Sequence, residues 1–315
     1  MTMHAEKTRR SGWLAVARIA GRLLLALGIA LAMYLLIYRP QQLRWGATDQ
    51  EVARAMPGDQ IQPQPIFNAT RAVTIDARPE QIWPWLVQMG YKRAGFYGYD
   101  ALDNAGIPSA DRIIPALQHV KVGDAFPIWE GVNYRVVMVD PTHSLVLESS
   151  DHSTMALGLY PLDASHTRLV WRIHNAPYNW ASPYVVTQLF TDAADFFAVR
   201  QNMLGIKARA EGVAPISQAL LNTEAALWAV MFLGFLVAET GLVVRRDWLR
   251  PLLAVSATGL LMVGLVLIRP PVWVDGLVTL GVCVGLWWIY RPTAHRASVR
   301  ERVPQPSRGR KREGR

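Results

Sequence analysis

The sequence predicts an α+β domain, an antiparallel sheet closed over by one long helix, carried between about four transmembrane α-helices. Three observations predict it. Four apolar runs are each long enough to cross a bilayer, a polar stretch of domain size separates the first from the second, and that stretch holds five period-two segments followed by a long helical one.

The first apolar run is Trp13 to Tyr38, interrupted by Arg18 and Arg22, behind a short basic N-terminus, residues 1–12. Three more follow the polar stretch, at residues 219–244, 248–268 and 272–290. At 1.5 Å per residue about 20 residues cross the hydrocarbon core, so each run suffices. Trp13, Trp248, Trp273, Trp287, Trp288, Tyr38 and Tyr290 stand near the run ends, where amphipathic rings prefer the headgroup level.

Residues 39–69 are rich in Pro and Gln and read as a linker wrapping a surface, with one helical patch near Thr48 to Ala55. The domain proper is expected over residues 70–212. TRAVTIDA, residues 70–77, alternates as a strand. Pro79 suits the first position of the helix that follows, and Ile82, Trp85, Leu86 and Met89 fall on one face of it before Gly90 ends it. GDAFPIW, VNYRVVMVD, SLVLESS, STMALGLYPLD and HTRLVWRIH then read as five strands of a meander. Ser182 to Glu211 returns to helical spacing, with Val186, Phe190, Ala193, Phe197 and Leu204 as its apolar stripe.

The net charge of +9 is not a nucleic-acid footprint. Residues 44–212 hold 14 basic and 17 acidic side chains, whereas residues 291–315 alone carry +7. That proline-bearing tail reads as disordered and attracted to anionic headgroups, and no specific nucleic-acid partner is expected. The single cysteine, Cys283, lies in the last apolar run, so there is no internal disulfide and no CxxC motif. An N-x-T triplet at Asn68 matters only where secreted proteins are glycosylated.

Several segments in order, RWGATDQEV, PGDQIQPQP, TRAVTIDARPEQIWPWLVQMG, RAGFYGYDALDN, SADRIIPALQHVKVGD and MLGIKARAE, resemble the START-like or SRPBCC superfamily, in its bacterial polyketide cyclase/dehydrase-like form. The resemblance covers about Trp45 to Glu211 and implies a helix-grip fold, whose sheet and C-terminal helix enclose an apolar cavity. In relatives that cavity holds lipids, sterols or polyketides. Membrane segments at both ends depart from the soluble members.

Within that frame Trp85, Phe96, Tyr97, Tyr99, Tyr134, Trp171, Phe190, Phe197 and Arg200 are the candidate ligand-lining residues. For Trp85 ordinary core packing is the stronger reading. Phe96, Tyr97 and Tyr99, in a loop flanked by glycines, fit a gate as well as a core. Arg200, on the expected inward stripe, either pairs structurally or anchors a ligand carboxylate or phosphate. Asp100 reads as a helix N-cap rather than a general base. His152 and His174, with Glu148, are the acid/base candidates, though no nucleophile, base and orienter can be drawn from spacing. No metal or cofactor is expected, since no HExxH or Gly-rich phosphate loop occurs. Glu239 is expected to pair with Arg245 or Arg246 at the interface, and Glu224 and Asp275, near run ends, need no special role.

The expected function is non-enzymatic: a membrane-tethered domain holding a hydrophobic small molecule or lipid. The alternatives are a cyclase or dehydratase on a polyketide- or terpenoid-like substrate, and an interaction protein with a closed cavity. Lys7, Arg9, Arg10, Arg245, Arg246, Arg250 and the basic tail place both termini in the cytoplasm and the domain outside it. Arg39 and Arg44 lie against that orientation. Ala30-Leu31-Ala32 could serve as a signal-peptidase site, leaving three spans with the domain still exported.

Overall fold

The computed structural model describes residues 2–178, 180–183, 185–245 and 247–291, with side chains except those of residues 2–12, 15, 185–191 and 193. The basic tail from residue 292, Arg246 and the side chains of Lys7, Arg9, Arg10, Val186, Phe190 and Ala193 lie outside the described residues.

The chain opens with α1 (Thr2–Met33), which runs through a π-helical turn (Tyr34–Tyr38) into α2 (Arg39–Arg44). The expected linker therefore begins as helix, and the apolar stretch long enough to span extends over Val16–Arg44. After the short α3 (Asp49–Ala53) come β1 (Phe67–Ile75), α4 (Pro79–Gln88) and α5 (Asp100–Asp103). The meander is β2 (Ala125–Trp129), β3 (Val132–Asp140), β4 (Ser144–Glu148), β5 (Thr154–Pro161) and β6 (Thr167–Asn175). Then follow α6 (Val185–Ala210), α7 (Gln218–Val244), α8 (Leu249–Ile268) and α9 (Val272–Tyr290). The last three and the first are long and apolar enough to cross a membrane.

The six strands form one antiparallel sheet in the order β1-β6-β5-β4-β3-β2. Irregular register between Pro127 and Trp129, and between Val136 and Met138, bends its β2–β3 end. Strand alternation gives the sheet two faces. One carries Ile75, Leu147, Leu157, Leu159, Leu169 and Trp171 against α4 and α6 in the main core. The other carries Ala72, Val146, Ala156 and Val170 and is covered by residues 45–62. Arg172 fastens that cover, donating to the carbonyls of Glu51, Val52 and Arg54, to Thr70 Oγ1 and to Asp59 Oδ2 at 2.7 to 3.0 Å. Thr48 and Glu51 close a capping box on α3 beneath it.

The grip helix is rotated from the expected stripe. Its buried apolar side chains are Phe196, Val199, Met203 and Ile206, an i, i+3, i+7, i+10 series facing the sheet. Phe197 and Leu204, one position further on, are only half-buried. One residue is 100° of helix, so Phe197 turns toward Trp228 of α7 instead of the sheet.

Candidate ligand chamber and its membrane-side polar cluster

The space between sheet and grip helix, the candidate chamber, is filled at the α4 end by its own rings. Trp85 and Tyr97 meet edge to face at 5.8 Å, and the Tyr97 hydroxyl donates to the Trp85 carbonyl at 2.9 Å. Burial pushes the Tyr97 phenol pKa upward, and the Arg209 guanidinium lies 4.6 Å above its ring. Tyr97 holds a positive φ of 66°, a costly conformation fixed by Ser109 Oγ accepting its N–H at 3.0 Å. Phe96 is buried in the same core. These rings seal one end rather than rim an opening.

Trp171, from β6, lies on the inner face with 1% exposure, and its indole N–H has no acceptor among the described residues. Tyr134, on β3, is half-buried nearer the opposite end. Its hydroxyl is pushed up to about 12 by burial and by the charges of Asp151 and Asp192. Asp192, on α6, collects Asn175 Nδ2 at 2.6 Å and the Tyr178 hydroxyl, while Gln42 of α2 donates to its backbone carbonyl. Tyr38 packs on Phe196 and Phe197 with centroids 5.8 and 6.0 Å apart. That end of the chamber thus lies against the last turns of the first apolar helix.

The remaining aromatic and cationic candidates gather outside the chamber. Tyr99, Phe197 and Trp228 form one ring cluster, with Trp228 at 6.5 Å from Tyr99 and 5.1 Å from Phe197. Arg200 donates to the Val266 carbonyl at 2.6 Å and stacks over Phe196 at 5.2 Å. Its guanidinium closes the C-terminal end of α8, so the expectation that it faces a ligand is corrected by the rotation of α6. Burial, followed by Arg269, lowers its pKa. Glu224 on α7 accepts a forked pair from Arg269 at 2.9 and 3.0 Å, and the Tyr99 hydroxyl reaches it at 3.3 Å.

The acid/base candidates are not brought together. His152 sits in the β4–β5 turn with a largely exposed ring, and its Nδ1 is 2.6 Å from Glu148. That contact, then Arg135, holds the Glu148 carboxyl below its usual range. His174 is on the other face of the sheet, beneath residues 45–62, with Nδ1 3.2 Å from the Gln62 carbonyl. Burial lowers its pKa. Asp100 is the first residue of α5, whose N-cap is Tyr99, so the expected cap is displaced by one residue. Its carboxylate accepts from the Ser109 hydroxyl at 2.5 Å and the Ser109 N–H at 2.9 Å.

Two residues passed over in the sequence, Asp103 and Asn202, emerge here. Asp103 is driven up to about 7 by burial and then by Asp100. With its amide nitrogen turned toward acceptors, Asn202 reaches Asp103 Oδ2 at 3.3 Å and the Ala198 carbonyl at 2.9 Å. Glu224 and Asp275 are buried, at 3% and 0% exposure, and not merely interfacial. Glu239 has an unpartnered Oε1, and Arg245 donates to the Ile289 carbonyl, so the expected Glu239–Arg245 pair does not form among the described residues.

Two surface clefts, of about 340 Å³ beside Arg93, Leu117, His119 and Asp124 and about 510 Å³ along residues 110–115, include none of the predicted site residues.

No protein-family model matches the chain, and no curated protein sequence matches it. Among solved structures, a polyketide-cyc-like protein from Corynebacterium glutamicum aligns over 46% of this chain and 91% of its own, at 12% identity and a TM-score of 0.31. Aha1 from Colwellia psychrerythraea aligns over 46% and 96%, at 16% identity and 0.29. An HSP90 activator from Plasmodium falciparum aligns over 44% and 94%, at 15% identity and 0.29.

Proposed function

We propose that the protein is a membrane-tethered binding module whose sheet-and-helix chamber takes a hydrophobic molecule or lipid carrying one hydrogen-bond acceptor. The observation that carries this reading is Trp171. Its N–H is buried without an acceptor among the described residues, on a strand position flanked by Leu157 of β5 and Arg71 of β1, and a buried orphan donor costs about 1 to 3 kcal/mol. A carbonyl or hydroxyl oxygen on an otherwise apolar ligand removes that cost. Apolar burial, at about 25 cal/mol per Å², supplies the rest of the affinity. The chamber end near Tyr38 faces the first apolar helix, which suits a ligand arriving from the bilayer. The positive-inside distribution supports an extracytoplasmic domain.

Native mass spectrometry of detergent-purified protein, with organic extraction, tests the reading. A stoichiometric apolar molecule is expected. Trp171→Phe keeps the ring and removes the donor, so it should fold normally and lose about tenfold in affinity for that molecule. An empty wild-type protein would favour the closed-core interaction protein, to which the Trp85–Tyr97 seal also belongs. A cyclase or dehydratase needs an assembled acid and base, and His152 and His174 stand on separate parts of the sheet.

A further inference from the structure

We infer that the helix bundle contains a buried site for a single positive charge, a proton or a sodium-sized cation, centred on Asp275. This site is distinct from the chamber, and it stands whether or not the chamber binds a lipid.

Asp275 lies in the first turn of α9 with 0% exposure, and both its carboxylate oxygens lack partners among the described residues. One turn deeper on the same face, Thr279 is 4% exposed and its hydroxyl is also unpartnered. Two independent orphan oxygen groups therefore point into the same packed layer. The charged groups within electrostatic reach of Asp275 are Glu224 from α7 and Arg269 from the C-cap of α8. Arg269 is already committed to Glu224 through its forked pair, and Tyr99 donates to the same carboxylate. Arg200, from α6, is committed to the Val266 carbonyl.

Glu224 and Arg269 thus satisfy each other, Arg200 adds its charge beside that pair, and the Asp275 carboxylate has no partner of its own among the described residues in a packed interior. Such a charge is not retained bare, because removing an ion from water without a partner is costly. One proton on Asp275, or one hard cation held by its carboxylate and the Thr279 hydroxyl, supplies that partner. Carboxylate and hydroxyl oxygens are the ligand types a small hard cation takes. Because Glu224 also receives Tyr99, occupation of the site bears on the contact between the aromatic loop and the helices.

The test uses the full-length chain in detergent and reads the thermal unfolding midpoint by tryptophan fluorescence. Three conditions of equal ionic strength suffice: choline chloride at about pH 8, sodium chloride at about pH 8, and choline chloride at about pH 5.5. A midpoint raised by sodium identifies a metal cation, and one raised only by acid identifies a proton. Asp275→Asn, which is neutral and similar in shape, should abolish a sodium response, cut an acid response back to the part that Asp103 supplies, and unfold above wild type in choline at the higher pH. Thr279→Val should remove a sodium response and leave an acid response intact. Should Asp275→Asn not fold, a hydrophobic carbodiimide, which modifies buried protonated carboxyls, should label Asp275 in wild type increasingly as pH falls. A wild-type midpoint equal in all three conditions, a response undiminished in Asp275→Asn, or Asp275 unlabelled at every pH would each overturn the site.

Discussion

Arg71 of β1 and Asp195 of α6 form a two-pronged ion pair, at 2.7 and 3.1 Å, buried on the chamber side of the sheet. Arg71 also donates to the Gln42 carbonyl at 2.6 Å, so one guanidinium joins the first sheet strand, the grip helix and the end of the first apolar helix. Its side chain is 1% exposed. Arg71→Met strands the Asp195 carboxylate and should cost about 3 to 5 kcal/mol, read in chemical or thermal unfolding. A double variant, Arg71→Met with Asp195→Leu, removes both charges and should recover most of that loss. Equal instability of single and double variants would show that packing, not the stranded charge, sets the cost.

Asp103 predicts an acid-side gain in stability. Its pKa is raised to about 7 in the folded protein against 3.8 for the free side chain. Between these values the folded state holds a proton that the unfolded chain has released. Stability is therefore greatest at the low end of the window, falls as pH rises from about 4 to about 7, and is flat above. Asp103→Asn should raise stability by about 1 to 3 kcal/mol at about pH 8 and flatten this part of the pH profile. A profile unchanged by the substitution would remove Asp103 as its source.

Gly205 is where α6 crosses the aromatic loop. A Cβ there would collide with the Tyr97 carbonyl and lie 2.7 Å from the Tyr97 Cβ. Replacing a helical glycine by alanine ordinarily stabilises by about 1 kcal/mol. Here Gly205→Ala should instead destabilise by about 1 to 3 kcal/mol, since the strained Tyr97 backbone must move. A higher unfolding midpoint would show that the loop yields freely.

Arg200→Leu separates the two readings of that residue. Loss of a charged hydrogen bond to the Val266 carbonyl should cost about 1.5 to 3 kcal/mol of stability. Affinity for any acidic amphiphile should stay as in wild type. Weakened binding with unchanged stability would return Arg200 to the ligand.

Topology is open to labelling. Ser165 lies exposed in the β5–β6 turn, and the Cys283 thiol, on an exposed face of α9, can be replaced. A cysteine introduced as Ser165→Cys should react with an impermeant maleimide on intact cells or spheroplasts. Reaction only after the cytoplasmic membrane is permeabilised would reverse the proposed orientation.

The sequence by itself determined the membrane-capable helices, the meander and the α4 face, because each is written in a local period. Twenty apolar residues, alternation in VNYRVVMVD, and the spacing of Ile82, Trp85, Leu86 and Met89 need no long-range knowledge. The facing of α6 was decided only by tertiary packing. Phe196 and Phe197 are adjacent and equally apolar, so helical spacing admits either stripe, and packing buries Phe196 fully while Phe197, against Trp228 of α7, stays half-buried. The same holds for His174 and Trp171, three apart on β6: alternation puts them on opposite faces, but only the wrap of residues 45–62 buries the histidine. Glu224 and Asp275 carried a readable signal. Glu224, Met231, Phe235, Ala238 and Leu242 follow one helical face, as do Asp275, Thr279 and Leu286, all buried. Spacing placed those acids on faces able to pack, and the pairing of α7, α8 and α9 decided that the faces meet. A buried charge depends on its partners in space, which a one-dimensional period does not encode.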